Sequence, residues 1–243
     1  MRANIPKREF DELGEGLVIS YLKRAGITKL PRCVDIEGLA CSLGLTVTYA
    51  KFAEDDFDKI AFLANGYTPL KVFHPGQNKP VPVEELFPKG TIVLDERLRK
   101  PEESGRRRFT IAHEVAHFVI DRHCPAPAPQ YQREYDSERD YSLEEFKTQF
   151  NIVEHSADAL GAAILMPYFI VETALKEINN GEKIRICGDN VFPPQERIKV
   201  RKMAAQIGVS FTALLIRLRQ FDMLEYCRLE DYLDKCVFSG GGA

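Results

Sequence analysis

The sequence predicts an α+β fold, on three observations. Two long stretches, around residues 108–121 and 143–166, carry apolar residues at the three- and four-residue steps of a helix. The short apolar segments of strand character gather between Leu45 and Leu94, ahead of those helices rather than alternating with them. A chain of 243 residues with 44% hydrophobic content is long enough to bury a substantial core, so disorder is excluded.

The elements follow in order. From Pro6 to Ala25, Leu13, Leu17, Val18, Tyr21 and Leu22 line one side of a helix that Gly26 ends. Asp35 caps a second helix running to Ser42, and Leu45 to Tyr49 alternates as a strand does. Ile60 to Leu63, Leu70 to Phe73 and Thr91 to Leu94 complete a small sheet. Arg108 to Asp121 is a helix with the apolar flank Ile111, Ala112, Val115, Ala116, Phe118, Val119 and Ile120. The segment from Cys124 to Ser142 is too polar and Pro-rich for a core, and reads as a lid or a surface insertion. Phe146, Phe150, Val153, Ala157, Leu160 and Ile164 define a further helix over about Leu143 to Met166. After Pro167 a helix continues to about Ile178. Asn180-Gly181 and Gly188-Asp189-Asn190 mark turns around the short apolar Ile184 to Cys187, and Pro193-Pro194 opens a new segment.

That last segment has the Ala204-x-x-x-Gly208 spacing of a helix-turn-helix, with Ser210 capping its second helix. Between Arg197 and Arg219 stand six basic residues and no acidic one. Arg217 and Arg219 are therefore candidate contacts to phosphates or guanines. The plainer alternative is a helical hairpin packed on the core, and Phe211, Thr212 and Ala213 at the helix start are poor base readers. A division into residues 1–180 and a C-terminal helical region, residues 181–243, is expected.

A formal charge of −3 gives no global reason to expect nucleic acid or acidic membranes. No run of eighteen apolar residues occurs and the first ten residues lack the apolar centre of a signal peptide, so a cytoplasmic protein without a membrane segment is expected. The six cysteines form no Cys-x-x-Cys pair and would be reduced in that compartment. Cys124, soon after the central helix, could alternatively cap a metal as a thiolate.

The chemistry centres on His113-Glu114-Val115-Ala116-His117. Residues four apart share a helix face, so His113 and His117 can offer two imidazole nitrogens to one metal ion. Glu114 is rotated about 100° from His113, beside the metal, where its carboxylate can take a proton from an attacking water. The plainer reading is a buried helix with two satisfied histidines, and a third ligand decides between them. His123, Glu154 and His155 follow the motif. His123 stands where one protease pattern places its third histidine, but Ile120 replaces the glycine that turns the chain back to the metal, so the helix runs on and carries His123 away. Glu154 borders the apolar stripe of the next helix, with Asp158 one turn later. Two carboxylates at that spacing repel unless a cation lies near. A metal resolves the conflict: Glu154 becomes the third ligand and Asp158 accepts the spare ring N–H of a ligand histidine.

Arg108-Phe-Thr-Ile-Ala-His-Glu-Val-Ala-His and Glu154-His-Ser-Ala157-Asp158-Ala-Leu-Gly-Ala-Ala-Ile-Leu-Met166-Pro167 together resemble the ImmA/IrrE family of gluzincin-type metallopeptidases. The chain departs from the family pattern at Leu160 and Gly161, which are packing positions. The resemblance implies a zincin-like fold with the small sheet on the helix of His113 and His117, one zinc ion per chain, and an intracellular endopeptidase. It also implies a protein substrate, a repressor-type DNA-binding protein. In such proteases the strand before the zinc helix, here Thr91 to Leu94, is the sheet edge that pairs with an extended substrate. A zinc-binding regulator that holds a repressor or DNA without cutting is the alternative.

Overall fold

The computed structural model describes residues 7–53, 59–74, 81–123, 143–187 and 191–228. The Cys124–Ser142 segment, with the candidate cap Cys124, lies outside them, as do the Gly188–Asn190 turn and the C-terminal tail. The chain divides into two compact units, Met1–Thr28 with Asp35–Leu165, and Lys29–Val34 with Met166–Ala243.

The first unit is α+β. Helix α1 (Lys7–Arg24) ends at Gly26, whose φ of 67° is one that side-chain-bearing residues rarely adopt. Helix α2 (Ile36–Ser42) is capped as the sequence indicates: the Asp35 side chain accepts the Gly38 N–H, 3.0 Å. The five strands are β1 (Thr46–Phe52), β2 (Ala61–Leu63), β3 (Leu70–Phe73), β4 (Val83–Glu85) and β5 (Thr91–Asp95). They make one mixed sheet in the order β2-β5-β1-β3-β4, in which only β1 and β5 run parallel. Val93, Leu70 and Val72 form a core against which Ala50, Phe52, Phe62 and Phe87 pack.

The sheet order corrects one expectation. Strand β5 is interior: it pairs with β1 from Thr46↔Thr91 to Ala50↔Asp95 and with β2 from Ala61↔Leu94 to Leu63↔Ile92. All five of its residues are buried. A strand bonded on both sides has no free main-chain groups for a substrate. Its unbroken Thr-Ile-Val-Leu run is the pattern of a strand covered on both faces rather than of an edge. The edges are β2 and β4, and β4, a charged three-residue strand, carries too little apolar pattern to be read from sequence.

From Asp95, whose buried carboxylate accepts the N–H groups of Phe52 and Arg97 and pairs with the Arg97 side chain, the chain turns through two 3-10 segments, Glu96–Arg99 and Pro101–Glu103, into helix α3 (Ser104–His123). Ile111, Ala112, Val115, Ala116 and Val119 form its buried stripe. The helix continues past Ile120 as expected. Helix α4 (Leu143–Leu165) lies against α3 on one side and α1 on another. The α1 crossing is close because Gly14 has no side chain: a Cβ there would stand 2.7 Å from Ala163 Cβ.

The second unit holds α5 (Tyr168–Asn179), β6 (Ile184–Cys187), α6 (Pro194–Ile207), α7 (Phe211–Gln220) and β7 (Leu224–Cys227). Strands β6 and β7 pair in parallel. Gly208, at φ 75°, closes α6, and Ser210 Oγ accepts the Ala213 N–H at the start of α7, as the spacing predicts. Arg217 is a correction. Offered above as a nucleic-acid contact, it is 3% exposed. Its guanidinium donates to the Met166 carbonyl from Nε and Nη2, at 3.2 and 2.9 Å, and stacks over Phe221. An arginine so engaged positions α7 and does not reach a groove. Arg219 is exposed and donates to the Tyr226 hydroxyl. No single helix among the described residues is long and apolar enough to cross a membrane.

Candidate metal centre

Helical period and one close crossing build the site. On α3, the four-residue step stacks His113 on His117, with Nε2 atoms 3.0 Å apart and rings edge to face. On α4, the same step sets Glu154 and Asp158 on one side, where they address opposite nitrogens of His113. Glu154 Oε2 is 3.2 Å from His113 Nε2, its Oε1 is 3.5 Å from His117 Nε2, and Asp158 Oδ1 is 2.9 Å from His113 Nδ1. The donor atoms of His113, His117 and Glu154 all lie within 4.8 Å of one another.

Proximity of the helices comes from Gly161, whose packing position turns out to lie against the helix of the two histidines. A Cβ on it would stand 3.2 Å from the His113 amide nitrogen and 3.3 Å from the Ala112 carbonyl carbon. The small-residue run Ala159-Leu-Gly-Ala-Ala163 is the signal for such a crossing. Close backbones let short acidic side chains reach the imidazoles.

The donor set fits a metal ion. If His113 Nδ1 donates to Asp158, its Nε2 presents a lone pair toward His117 and the Glu154 carboxylate. Lone pairs and a negative oxygen converging on one point repel unless a cation stands there. Two imidazoles and one carboxylate are ligands that zinc takes, with a coordination position left open. The side chains alone supply the next best cation, a proton. Burial opposes a charged His113, but hydrogen bonds to Asp158 and Glu154 and the Glu114 charge outweigh it and raise its pKa to about 10. Reciprocally, hydrogen bonds from His113 and His117 hold the Glu154 carboxyl far below the usual range.

Glu114 is 8% exposed, with His117, also buried, three residues further along the same helix. Burial raises its pKa; the charges of His117 and His113 pull it down and that of Glu154 pushes it up. A carboxylate with that affinity for protons is suited to accept one and return it.

Of the other sequence candidates, His155 is exposed and takes no part in the cluster. The side chain of His123, in the last turn of α3, lies outside the described side chains.

No curated protein matches the chain. The family model Peptidase_M78, described as the IrrE N-terminal-like domain, matches residues 42–219, a span that includes α3, α4 and every member of the cluster. With almost three quarters of its length so matched, the chain belongs to the IrrE N-terminal-like family of peptidases, the ImmA/IrrE metallopeptidases.

Proposed function

We propose that this protein is a zinc endopeptidase whose substrate is a repressor-type DNA-binding protein. The observation that carries the reading is the convergence of His113, His117 and Glu154 within 4.8 Å, with Glu114 buried one residue from His113. In this reading the two histidines and Glu154 hold one zinc ion per chain and Asp158 fixes the His113 tautomer. Zinc, when bound, supplies Lewis acidity, which polarises a peptide carbonyl and acidifies water.

The chain's own residues do the rest. Glu114 accepts the proton of the attacking water on its carboxylate and delivers it to the leaving amine. Burial supports both halves of that cycle, because it makes the neutral acid less unfavourable than it is in water. Asp158 keeps Nδ1 of His113 protonated, so that Nε2 remains the donor toward the metal. The repressor as substrate rests on the family resemblance, and the cytoplasm as compartment rests on the sequence.

The test is Glu114→Gln, an isosteric change that removes the proton acceptor and leaves all three ligands. Zinc content is expected to stay at one per chain while cleavage of a candidate repressor falls by at least a hundredfold, roughly the factor general bases contribute. A variant that cuts as fast as wild type would sink the assignment of the base. A variant that cuts nothing yet still relieves repression would favour a regulator that acts by binding.

A further inference from the structure

We propose that Cys187 and Cys227 are a modification site: an oxidisable thiol pair that a peroxide converts into a reversible disulfide within the second unit. The two are register partners at the ends of the parallel strands β6 and β7, Cys187↔Cys227. Their sulfurs are 2.9 Å apart. Neighbouring strands stand about 4.8 Å apart, inside the roughly 4.4–6.8 Å Cα spacing that disulfides span. Bringing the sulfurs to a bond of about 2.05 Å therefore asks for side-chain rotation and no strand rearrangement.

The surroundings hold the pair in place. Cys187 is fixed on its other side by Val191, whose N–H and C=O both bond to the Cys187 main chain, at 3.0 and 2.7 Å. Ile184, Ile186 and Cys187 are buried, whereas Cys227 is partly exposed. Oxidant thus meets Cys227 first. The Cys227 thiol donates toward the Ile186 carbonyl at 3.5 Å, and the two sulfurs are themselves within hydrogen-bond distance of each other.

The chemistry balances with hydrogen peroxide as oxidant. The Cys227 thiolate attacks one peroxide oxygen, the O–O bond breaks, and the hydroxide that leaves takes up the thiol's proton as water. Cys227 is then a sulfenic acid. The Cys187 sulfur attacks that sulfur, the S–S bond forms, the S–O bond breaks, and a second water departs. The two sulfurs lose two electrons and the peroxide gains them; a dithiol reductant reverses the exchange. The closed loop would enclose α6 and α7, so oxidation would tie the basic helical pair to its own sheet.

The experiment uses the reduced full chain, titrated with hydrogen peroxide, quenched by alkylation and digested for mass spectrometry. The expected result is a peptide pair linked through Cys187 and Cys227, formed at lower peroxide than modification of the exposed Cys41, and abolished by dithiothreitol. Hydrogen exchange in residues 184–187 and 224–227 should slow on oxidation. With Cys227→Ser, Cys187 is expected to be fully alkylated on unfolding whatever the peroxide dose. Two results would overturn the proposal: Cys227 advancing to sulfinic acid without a link, or Cys187 remaining fully alkylatable in oxidised wild type. Because thiols are read rather than proteolysis, either failure leaves the peptidase reading standing.

Discussion

Asp158 Oδ1 stands 2.9 Å from His113 Nδ1, on the side of the ring opposite Glu154, whose Oε2 is 3.2 Å from Nε2. One helical turn of α4 thus grips one imidazole at both nitrogens. Asp158→Ala should leave the three ligands in place but free the ring to rotate and to change tautomer. Zinc affinity, measured by competition with a chromophoric chelator, is expected to fall about 10–100-fold, with Asp158→Glu recovering part of it. Unchanged affinity would show that Asp158 does not orient the ligand.

Zinc uptake should depend on pH through the same ring. The His113 pKa is raised from 6.5 to about 10, so in chelated protein near pH 8 the ring carries a proton that zinc must displace. Apparent zinc affinity is expected to climb up to about tenfold per pH unit between about 6.5 and 10, with proton release detectable in weakly buffered solution. The folded chelated protein follows the opposite sign. A raised folded-state pKa contributes stability that is complete below 6.5 and lost as pH rises through about 10. The melting temperature of chelated protein should therefore decline across that window, and zinc should flatten the decline. The depressed Glu154 carboxyl contributes stability above its ordinary 4.5, lost as pH falls below it.

Gly14 is where α1 meets α4. A methyl group there would collide with Ala163, at 2.7 Å from its Cβ and 2.8 Å from its carbonyl carbon. Backbone cannot move aside cheaply, so Gly14→Ala is expected to cost about 1–3 kcal/mol in chemical denaturation. Gly16, where a Cβ meets nothing within 4 Å, is the control: Gly16→Ala, on the exposed face of the same helix, should be neutral or stabilising.

Arg217→Ala should behave as a packing defect and not as a lost nucleic-acid contact. Removing the guanidinium leaves the Met166 carbonyl without its two donors and strips the stack from Phe221. A loss of roughly 1–3 kcal/mol is expected from denaturation curves. DNA binding followed by anisotropy at low and moderate salt is expected to show no phosphate-type salt slope; a steep slope that Arg219→Ala reduces would restore the basic helix as a binding surface.

Local features were the legible ones. The four-residue repeat places His113 over His117 whatever surrounds them, the Asp35 and Ser210 caps follow from side-chain oxygens beside helix starts, and the four-residue step from Glu154 to Asp158 sets both carboxylates on one side of α4, against His113. His155, beside Glu154 in sequence, could not serve at the same time, because neighbours on a helix point about 100° apart.

The sequence by itself thus determined which side chains share a helical face, and with that the stacking of His113 on His117 and the placing of Glu154 and Asp158 on one side of α4. Only the tertiary structure decided that α4 crosses α3 with Gly161 against His113, that β5 lies inside the sheet instead of at its edge, that Arg217 turns inward, and that Cys187 faces Cys227. The reason is physical: a helical period depends on neighbours within one or two turns, whereas strand order, register and helix crossings are chosen by pairing between segments far apart in the chain.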